Sequence, residues 1–569
     1  MPTISVNLTD LQSLLGADSS VTTPEQVETL LPLVKGELKD WDQATDELRI
    51  ELQDSNRPDL WCTEGIARQF RMKRAEAAPR YPFFTEGEKP KRRVIVAPGM
   101  ASVRPYLAAC TAVGYRMTEA GLTQLIQTQE KLAEIFGHQR RTVSIGIYRL
   151  APIVFPVSYT LVGPDEARFT PLGFTEKMTL REILNVHPKG QDYGGILAGH
   201  DRLPLLRDAE GQILSFPPII NSQQIGEVIV GDEALFVEVT GTDQRMVVLT
   251  LNILAVNLAD RGATIEPVLV EYPQQTELGQ TVRTPCDFGS HRPVAPAAIG
   301  AALGESLDIG HIRQALGSYG YELGDTADAL SVKLPPYRND LMHLVDVVED
   351  VAISRGYGSF TPVMPSQFTV GGLSALEECA DRVRDLMVGQ GFQEIMSNIL
   401  SSRADVVERM RLSDSAWDRL VEVDNVMVQT YASLRRSLLP SLLRVEESSS
   451  RAFYPHRIFE VGEAALPDAE AEVGSRTVTV LAGLIAHARA NFSEVHSCLD
   501  LLMFYLGCAY TLTPAQHPSY LEGRVGRIET EGVAIGHIGE LHPEVLERWQ
   551  VMMPCAAFEL ELDALVKRG

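Results

Sequence analysis

No apolar run in the 569 residues approaches the roughly twenty that a membrane-spanning helix needs. The opening stretch MPTISVNLTDLQSLLG also lacks the basic-then-apolar order of an export signal. The expectation is a soluble, cytoplasmic chain with no membrane partner. Cysteine is sparse: Cys62, Cys110, Cys286, Cys379, Cys498, Cys508 and Cys555 are scattered, with no C-x-x-C pair. That excludes zinc-ribbon and dithiol redox chemistry and predicts free thiols in a reducing compartment. Positive charge is short as well. With 51 Lys and Arg against 75 Asp and Glu, the net charge of −24 excludes a chain that coats nucleic acid by bulk attraction. Any such contact must be local. The richest basic segment, Arg68, Arg71, Lys73, Arg74, Arg80, Lys89, Lys91, Arg92 and Arg93, reads either as a solvated linker face or as a phosphate track. Walker-type G-x-x-x-x-G-K-[ST] loops, H-E-x-x-H pairs, G-x-S-x-G elbows, internal repeats and low-complexity tracts are all missing.

What is present is enough chain for about four domains. The Pro- and charge-rich APRYPFFTEGEKPKRR ends a first segment, 1–90. A mixed segment, 91–275, follows. Its best helix is Leu122 to Phe136, with Leu122, Leu125, Ile126, Leu132, Ala133 and Phe136 on one face and Gly137 placed to cap it. The strand-like runs VSIGIY and LFVEVTG come after it. TVRTPCDFGSHRPVAPAAIG opens a third segment, 276–360, in which two helical patterns flank ALSVKLPPY, and TPVMPSQFTVGG leads to a fourth, 370–569. There the predicted order is a helix Ser374 to Val388, a strand FQEIMSNILS, a helix in LRRSLLPSLLRVEESSS, strands at HRIFEVGEAAL and TVTVLAGLIAH, a helix FSEVHSCLDLLMFYLG, and closing strands GVAIGHIGEL and CAAFELEL. The fold class is α+β multidomain, with helices packed on a largely antiparallel sheet in the last part.

Four carboxylates crowd the stretch PPYRNDLMHLVDVVEDVAISRGY: Asp340, Asp346, Glu349 and Asp350. Asp340 follows two prolines where a helix can begin, and Leu341, Leu344, Val345, Val348, Val351 and Ala352 form the expected buried stripe. Asp346, Glu349 and Asp350 then share the opposite face, where their mutual repulsion asks for a cation. An oxygen-only cluster suits Mg²⁺, which needs few direct carboxylate bonds. Arg338, Arg355 or a neighbouring subunit would serve equally well on spacing alone.

PPYRND followed by LVDVVEDVAISRGY resembles the metal-binding segment of the phenylalanyl-tRNA synthetase beta subunit family. NRPDLW at Asn56 to Trp61 looks like the NRPDL signature of that family. HPKGQDYG, LSFPPIINS and VTGTD are similar to its archaeal and eukaryotic form, and LRRSLLPSLL with HRIFEVGE resembles its catalytic-like module. The resemblance implies magnesium held by Asp340, Asp346, Glu349 and Asp350. It also implies an alpha subunit that binds ATP and phenylalanine and charges tRNA(Phe), in an alpha2beta2 heterotetramer. A class II core needs a G-x-G-x-x-R motif, and none occurs after Val370. The last segment is therefore expected to be a degenerate class II core, with Arg457 and Glu460 structural rather than catalytic.

The family further implies an editing-type domain that hydrolyses tyrosyl-tRNA(Phe), with a pocket matching Leu206, Ser215, Asn221, Glu238 and Thr240. Where archaeal relatives read D-V-T-G-T-D, this chain has Glu238-Val-Thr-Gly-Thr-Asp, an acid longer by one methylene. Read on their own, Ser215 and Thr240 are also ordinary strand and turn residues, and His187 and His200 merely flank the segment. The extra tRNA-binding barrel and the anticodon-binding domain of bacterial relatives are not expected. Two other functions fit the residues: a purely structural assembly subunit, and a free-standing metal-dependent hydrolase centred on the carboxylates.

Overall fold

The computed structural model describes residues 2–17, 19–53, 56–75, 78–85, 90–325, 329–449 and 451–566. The chain divides into two compact units, Met1–Val363 and Met364–Gly569.

The first unit holds a ten-stranded mixed sheet, two three-stranded sheets and a two-stranded one. In the large sheet Ala234–Gly241 lies between Val143–Arg149 and Tyr106–Val113, and the run continues through Thr264–Glu271, Arg93–Val96, Val157–Val162, Leu203–Arg207 and Ile213–Phe216 to Ile220–Asn221. The helix Gln244–Asp260 packs on Tyr106–Val113 and Ala234–Gly241 and is buried on nearly every side, from Val247 to Leu258. A helix apolar all round has no solvent face to give it a period, and the expected order of elements contains none here.

Across that helix lies Thr63–Ala75, whose cations answer the question posed by the basic segment. Arg68 is buried and bonded to Asp260 and Asn257, and Arg71 pairs with Asp260. Lys73 donates to Ser354 O, Arg74 to Leu15 O, Arg92 pairs with Glu266 and Arg93 with Glu271. Only Arg68 is an internal strut; Arg71, Lys73 and Arg92 are half-buried, and Arg74, Arg80, Lys91 and Arg93 are exposed, so the rest is a solvated face tied back in part by these bonds. Lys89 lies outside the described residues.

The helix expected over Leu122 to Phe136 is α-helical only at Glu119–Lys131 and widens to a π-turn over Leu132–Phe136, and Ile126, expected on the buried face, is exposed. Gly137 is not a left-handed cap, since its φ is −80°. A Cβ there would stand 2.5 Å from Ala133 O and 2.6 Å from Val143 O, so close backbone approach requires the glycine.

The second unit is a seven-stranded sheet, antiparallel except at the edge pair Gln393–Glu394 and His456–Pro467. Ser475–Ala486, Cys555–Glu561, Val533–Leu541, Tyr520–Thr530 and Thr511–Pro514 complete it. Helices Ala375–Gly389 and Phe492–Leu506 cover one face, and Leu439–Ser448 and Pro543–Arg548 pack on the other. Ser374 caps the first of these by accepting the Glu377 N–H, and Ala380, Val383 and Met387 are its buried stripe. FQEIMSNILS is strand only at Gln393–Glu394 and Leu400–Ser401, and the closing strands include Tyr520–Thr530, which the sequence reading lacks. Ser450, in the expected helical run LRRSLLPSLLRVEESSS, is outside the described residues. All seven cysteines are free thiols. Among the described residues, no helix is long and apolar enough to cross a membrane.

Candidate functional site: a paired carboxylate cluster and a buried acid

The carboxylate-bearing helix runs from Leu344 to Arg355, later than expected. Asp340 therefore does not start it. Asp346 caps it instead, accepting the N–H groups of Met342 (2.7 Å) and His343 (2.6 Å) where the positive helix end favours an anion. The buried stripe is Val347, Val348, Val351 and Ala352, joined by Asp350; Leu344 and Val345 are exposed. An aspartate can join the buried side because Arg338, itself buried, reaches it.

Arg338 is the counterion of the cluster. It grips Asp340 with Nε at 2.9 Å and Nη2 at 2.5 Å, places Nη2 2.8 Å from Asp350 Oδ2, and donates to Tyr319 O. Tyr321 donates a further bond to Asp350 (2.9 Å). Burial opposes ionisation of Asp340, but the Arg338 charge and hydrogen bonds outweigh it and hold the carboxyl at about 2. From the NRPDLW stretch, Arg57 forks onto Asp59 at 2.8 Å and stands 4.0 Å from Asp340. Lys35 pairs with Glu349 at 2.8 Å, while Arg355, the other candidate counterion, goes to Glu305. Of these cations the sequence reading foresaw only Arg338. The signal for Arg57 was its place in a quoted motif; Lys35 carried none.

All four carboxylates line one cavity of about 20 Å³ with Lys35 and Arg57. That is room for one water. Lys35, Arg57 and Arg338 face five carboxylates once Asp59 is included, so the charge left over is negative and suits a divalent cation. Among the described residues no three His, Cys, Asp or Glu side chains form a ready metal nest. A hard cation could be reached only through the two half-buried carboxylates, Asp346 and Glu349, where it would compete with the Lys35 ion pair and the helix N–H bonds. Asp340 and Asp350 are already committed to Arg338.

The second cluster lies in the large sheet. Glu238 stands in register with Gly146 on one side and Ala109 on the other, and its side chain is buried. The Tyr148 hydroxyl lies 2.9 Å from Glu238 Oε1 and 2.8 Å from Ser215 Oγ. Ser215 pairs in register with Leu206 and with Asn221. Thr240, two residues along from Glu238, accepts Arg104 Nε at 3.0 Å, shares a 3.0 Å bond with Ser144, and its carbonyl accepts Arg104 Nη2 at 2.7 Å. The sheet thus gathers Ser215, Glu238 and Thr240 around Tyr148 and Arg104, neither of which the sequence reading named. Leu206 and Asn221 are brought in by register, the latter donating weakly to Ile147 O at 3.4 Å. His187 is a helix cap, with Nδ1 accepting the Lys189 N–H.

Two features give this cluster its chemistry. A Cβ on Gly146 would come within 2.1 Å of the Tyr148 oxygen and 2.4 Å of Glu238 Oε1, so only glycine leaves room for their contact. Glu238 Oε2 is buried without a hydrogen-bond partner among the described residues. Burial pushes the carboxyl up to about 7, against the Tyr148 bond and the Arg104 charge, which favour ionisation. One hydroxyl hydrogen cannot serve two acceptors. When protonated, Glu238 donates to Tyr148 and Tyr148 to Ser215; when ionised, it takes the Tyr148 hydrogen for itself.

In the second unit Glu460 is buried against Arg435 (2.8 Å) and Ser397, and Arg457 pairs with Glu494 (2.8 Å). Both residues are engaged within the unit.

Residues 361–562 match the model of the phenylalanyl tRNA synthetase beta chain CLM domain, and 293–357 that of the tRNA synthetase B5 domain. A phenylalanine–tRNA ligase beta subunit of Borrelia hermsii is 35% identical over 574 residues, covering 100% of both chains. One from Treponema pallidum is 39% identical over 91% of this chain and 87% of its own. Among solved structures, an N-terminal fragment of the Pyrococcus horikoshii phenylalanyl-tRNA synthetase beta subunit is 36% identical, with a TM-score of 0.58, over 63% of this chain and all of that one. Identity at this level along the whole length shows that the chain belongs to the phenylalanine–tRNA ligase beta subunit family.

Proposed function

We propose that this chain works as the beta subunit of a cytoplasmic phenylalanine–tRNA ligase of archaeal and eukaryotic type, and that it edits. The alpha subunit binds ATP and phenylalanine and charges tRNA(Phe); two of each chain make the complex. In this reading the chain has four parts, 1–90, 91–275, 276–360 and 370–569: a small N-terminal domain, an editing domain, a carboxylate domain and a degenerate class II core. The archaeal fragment, 36% identical over 63% of this chain, supports the type, whereas the relatives matched along the whole chain are bacterial. Internal pairing of Arg457 and Glu460 supports a core whose work is assembly.

The observation that carries editing is the buried Glu238–Tyr148–Ser215 chain, beside Thr240 and Arg104. An apolar pocket rejects an added hydroxyl only about a hundredfold, so accurate charging needs tyrosine removed afterwards. A buried carboxyl that titrates near neutrality can recognise a phenol or orient a water, and Leu206 and Asn221 border it. Asp346 and Glu349 hold Mg²⁺ through water, with Asp340 and Asp350 oriented by Arg338; bound there, the ion would supply a positive docking point on an acidic surface.

The test is hydrolysis by the assembled enzyme of tyrosyl-tRNA(Phe) against phenylalanyl-tRNA(Phe). Tyrosyl-tRNA should be cleaved faster, and Glu238→Ala should slow that step while leaving phenylalanine activation intact. Wild-type enzyme that charges normally and hydrolyses no tyrosyl-tRNA above background has kept the domain and lost the reaction, which favours the assembly-only subunit.

A further inference from the structure

The second unit contains a cavity of about 530 Å³ that none of the roles above uses. Its floor is the face of the sheet that carries Val478, Val480, His537 and Glu559. In register across the strands lie Ala482, Glu559, His537 and Arg527, and Gly536 permits the close approach. A Cβ at Gly536 would stand 1.9 Å from Glu559 O, so these strands tolerate no side chain there. Met410, Leu412, Leu439 and Pro440 supply apolar walls. The volume falls in the usual range for small-molecule sites, and so does the mixture of an apolar lining with a few polar groups.

The charged lining is mixed, with Arg419 and Arg436 against Glu559 and Glu561. Arg419 and Arg436 line the cavity, and neither makes a hydrogen bond or ion pair among the described residues. Arg435 shows the contrast: it is buried and committed to Glu460, Ser397 and Glu463 O. Partial burial, together with the like charges of Arg419 and Arg476, makes the Arg436 guanidinium harder to keep charged, while Glu561 offsets this. Glu559 is held by the Ser437 hydroxyl (2.7 Å) and the Leu438 N–H (2.5 Å) and is not available to either arginine. Inside, His517 and His537 lie with ring centroids 5.2 Å apart, and burial keeps both pKa values below the usual imidazole value. His517 Nδ1 accepts the Ser519 N–H, which turns its other nitrogen into a donor; His537 has no hydrogen-bond partner among the described residues.

We propose that this cavity is a binding site for a small organic anion, a carboxylate or phosphate carried on an apolar or aromatic body. Arg419 and Arg436, neither with a hydrogen bond or ion pair among the described residues, line the cavity, and a guanidinium is suited to bidentate recognition of such a head. Neutral imidazoles and aliphatic walls beyond them suit the body. The cavity lies wholly within the second unit, so the proposal does not depend on the editing reading.

Fluorine NMR on the full chain, with para-trifluoromethyl benzoate, the matching aryl phosphate and the neutral benzamide as probes, tests it. Both anions should bind saturably with one-to-one stoichiometry, and the benzamide about tenfold more weakly. In Arg419→Gln/Arg436→Gln, both positions being exposed, the anions should weaken by about tenfold and the benzamide should not change. The tighter of the two anions identifies the head group. No saturable binding, equal binding of the benzamide, or indifference to the double substitution would each overturn the site. So would loss of the anion signal on adding the alpha chain, since the cavity would then be a surface that the partner covers.

Discussion

Glu238→Gln keeps the shape of the buried acid and removes its charge, so stability measured against pH isolates the cost of ionising it. The carboxyl sits at about 7 in the fold, against an ordinary value of 4.5. Between those values the folded chain holds a proton that the unfolded chain has lost. Stability must therefore fall as pH rises through that window, at about 1.4 kcal/mol per unit. The full effect is about 3 kcal/mol, absent below pH 4.5 and complete above pH 7. Because two units unfold in one chain, a local probe is needed: hydrogen exchange of the Ala234–Gly241 strand, compared between wild type and Glu238→Gln at each pH. The ratio cancels intrinsic exchange. Wild type should lose protection relative to the amide variant by about two orders of magnitude from pH 4.5 to 7 and then run parallel to it. A ratio flat with pH would mean that Glu238 is solvated or paired, and the relay through Tyr148 would fall with it.

Gly146→Ala should abolish tyrosyl-tRNA hydrolysis and leave ATP–pyrophosphate exchange by the assembled enzyme intact, because the added carbon separates Tyr148 from Glu238. Arg338→Met, which strands Asp340 and Asp350, should cost about 3–5 kcal/mol in exchange protection of Leu344–Arg355, and adding Asp340→Asn with Asp350→Asn should recover most of it. Glu349→Gln should weaken Mg²⁺-dependent stabilisation in thermal scans with little effect in chelator; unchanged Mg²⁺ response would remove Glu349 from the metal site. Arg435→Met, leaving Glu460 buried and unpaired, should lower the melting point of the second unit far more than Arg436→Gln, its exposed neighbour.

The legible parts of this sequence were those with a local period or a local stop. Ser374 ahead of a helical stripe marks a helix start, and the apolar runs in HRIFEVGEAAL and TVTVLAGLIAH mark long strands; both lie as read. Gln244–Asp260 was illegible because a helix buried on all sides shows no amphipathic stripe. The carboxylate helix begins about one turn later than its sequence suggests, for a different reason. Periodicity assumes that charge points outward, and Asp350 points inward to an arginine twelve residues earlier. The same assumption set Arg68, Lys73 and Arg92 on a surface, when their partners are 174 to 281 residues away in sequence. Gathering Ser215 to Glu238 needed Tyr148, on a strand that sequence pattern marks only as apolar.

The two clusters show one chain handling buried acid in opposite ways, and the difference bears on what each can do. Asp340 is kept ionised at about 2 by a guanidinium that touches it twice. Such a group holds no proton at any pH the cell reaches, and its charge is already answered; it can orient neighbours but can neither give nor take a proton. Glu238 has no ion pair, only a phenol and a guanidinium that spends its bonds on Thr240 and Ser144. Its ionisation is opposed by burial alone, which leaves it titrating near 7 with one oxygen free among the described residues. An acid in that state accepts or donates with small changes around it, the condition general acid–base chemistry and phenol recognition both require. Structure thus separates a scaffold of charges, centred on Arg338, from a titratable acid at Glu238, although in the sequence the scaffold is the more conspicuous of the two.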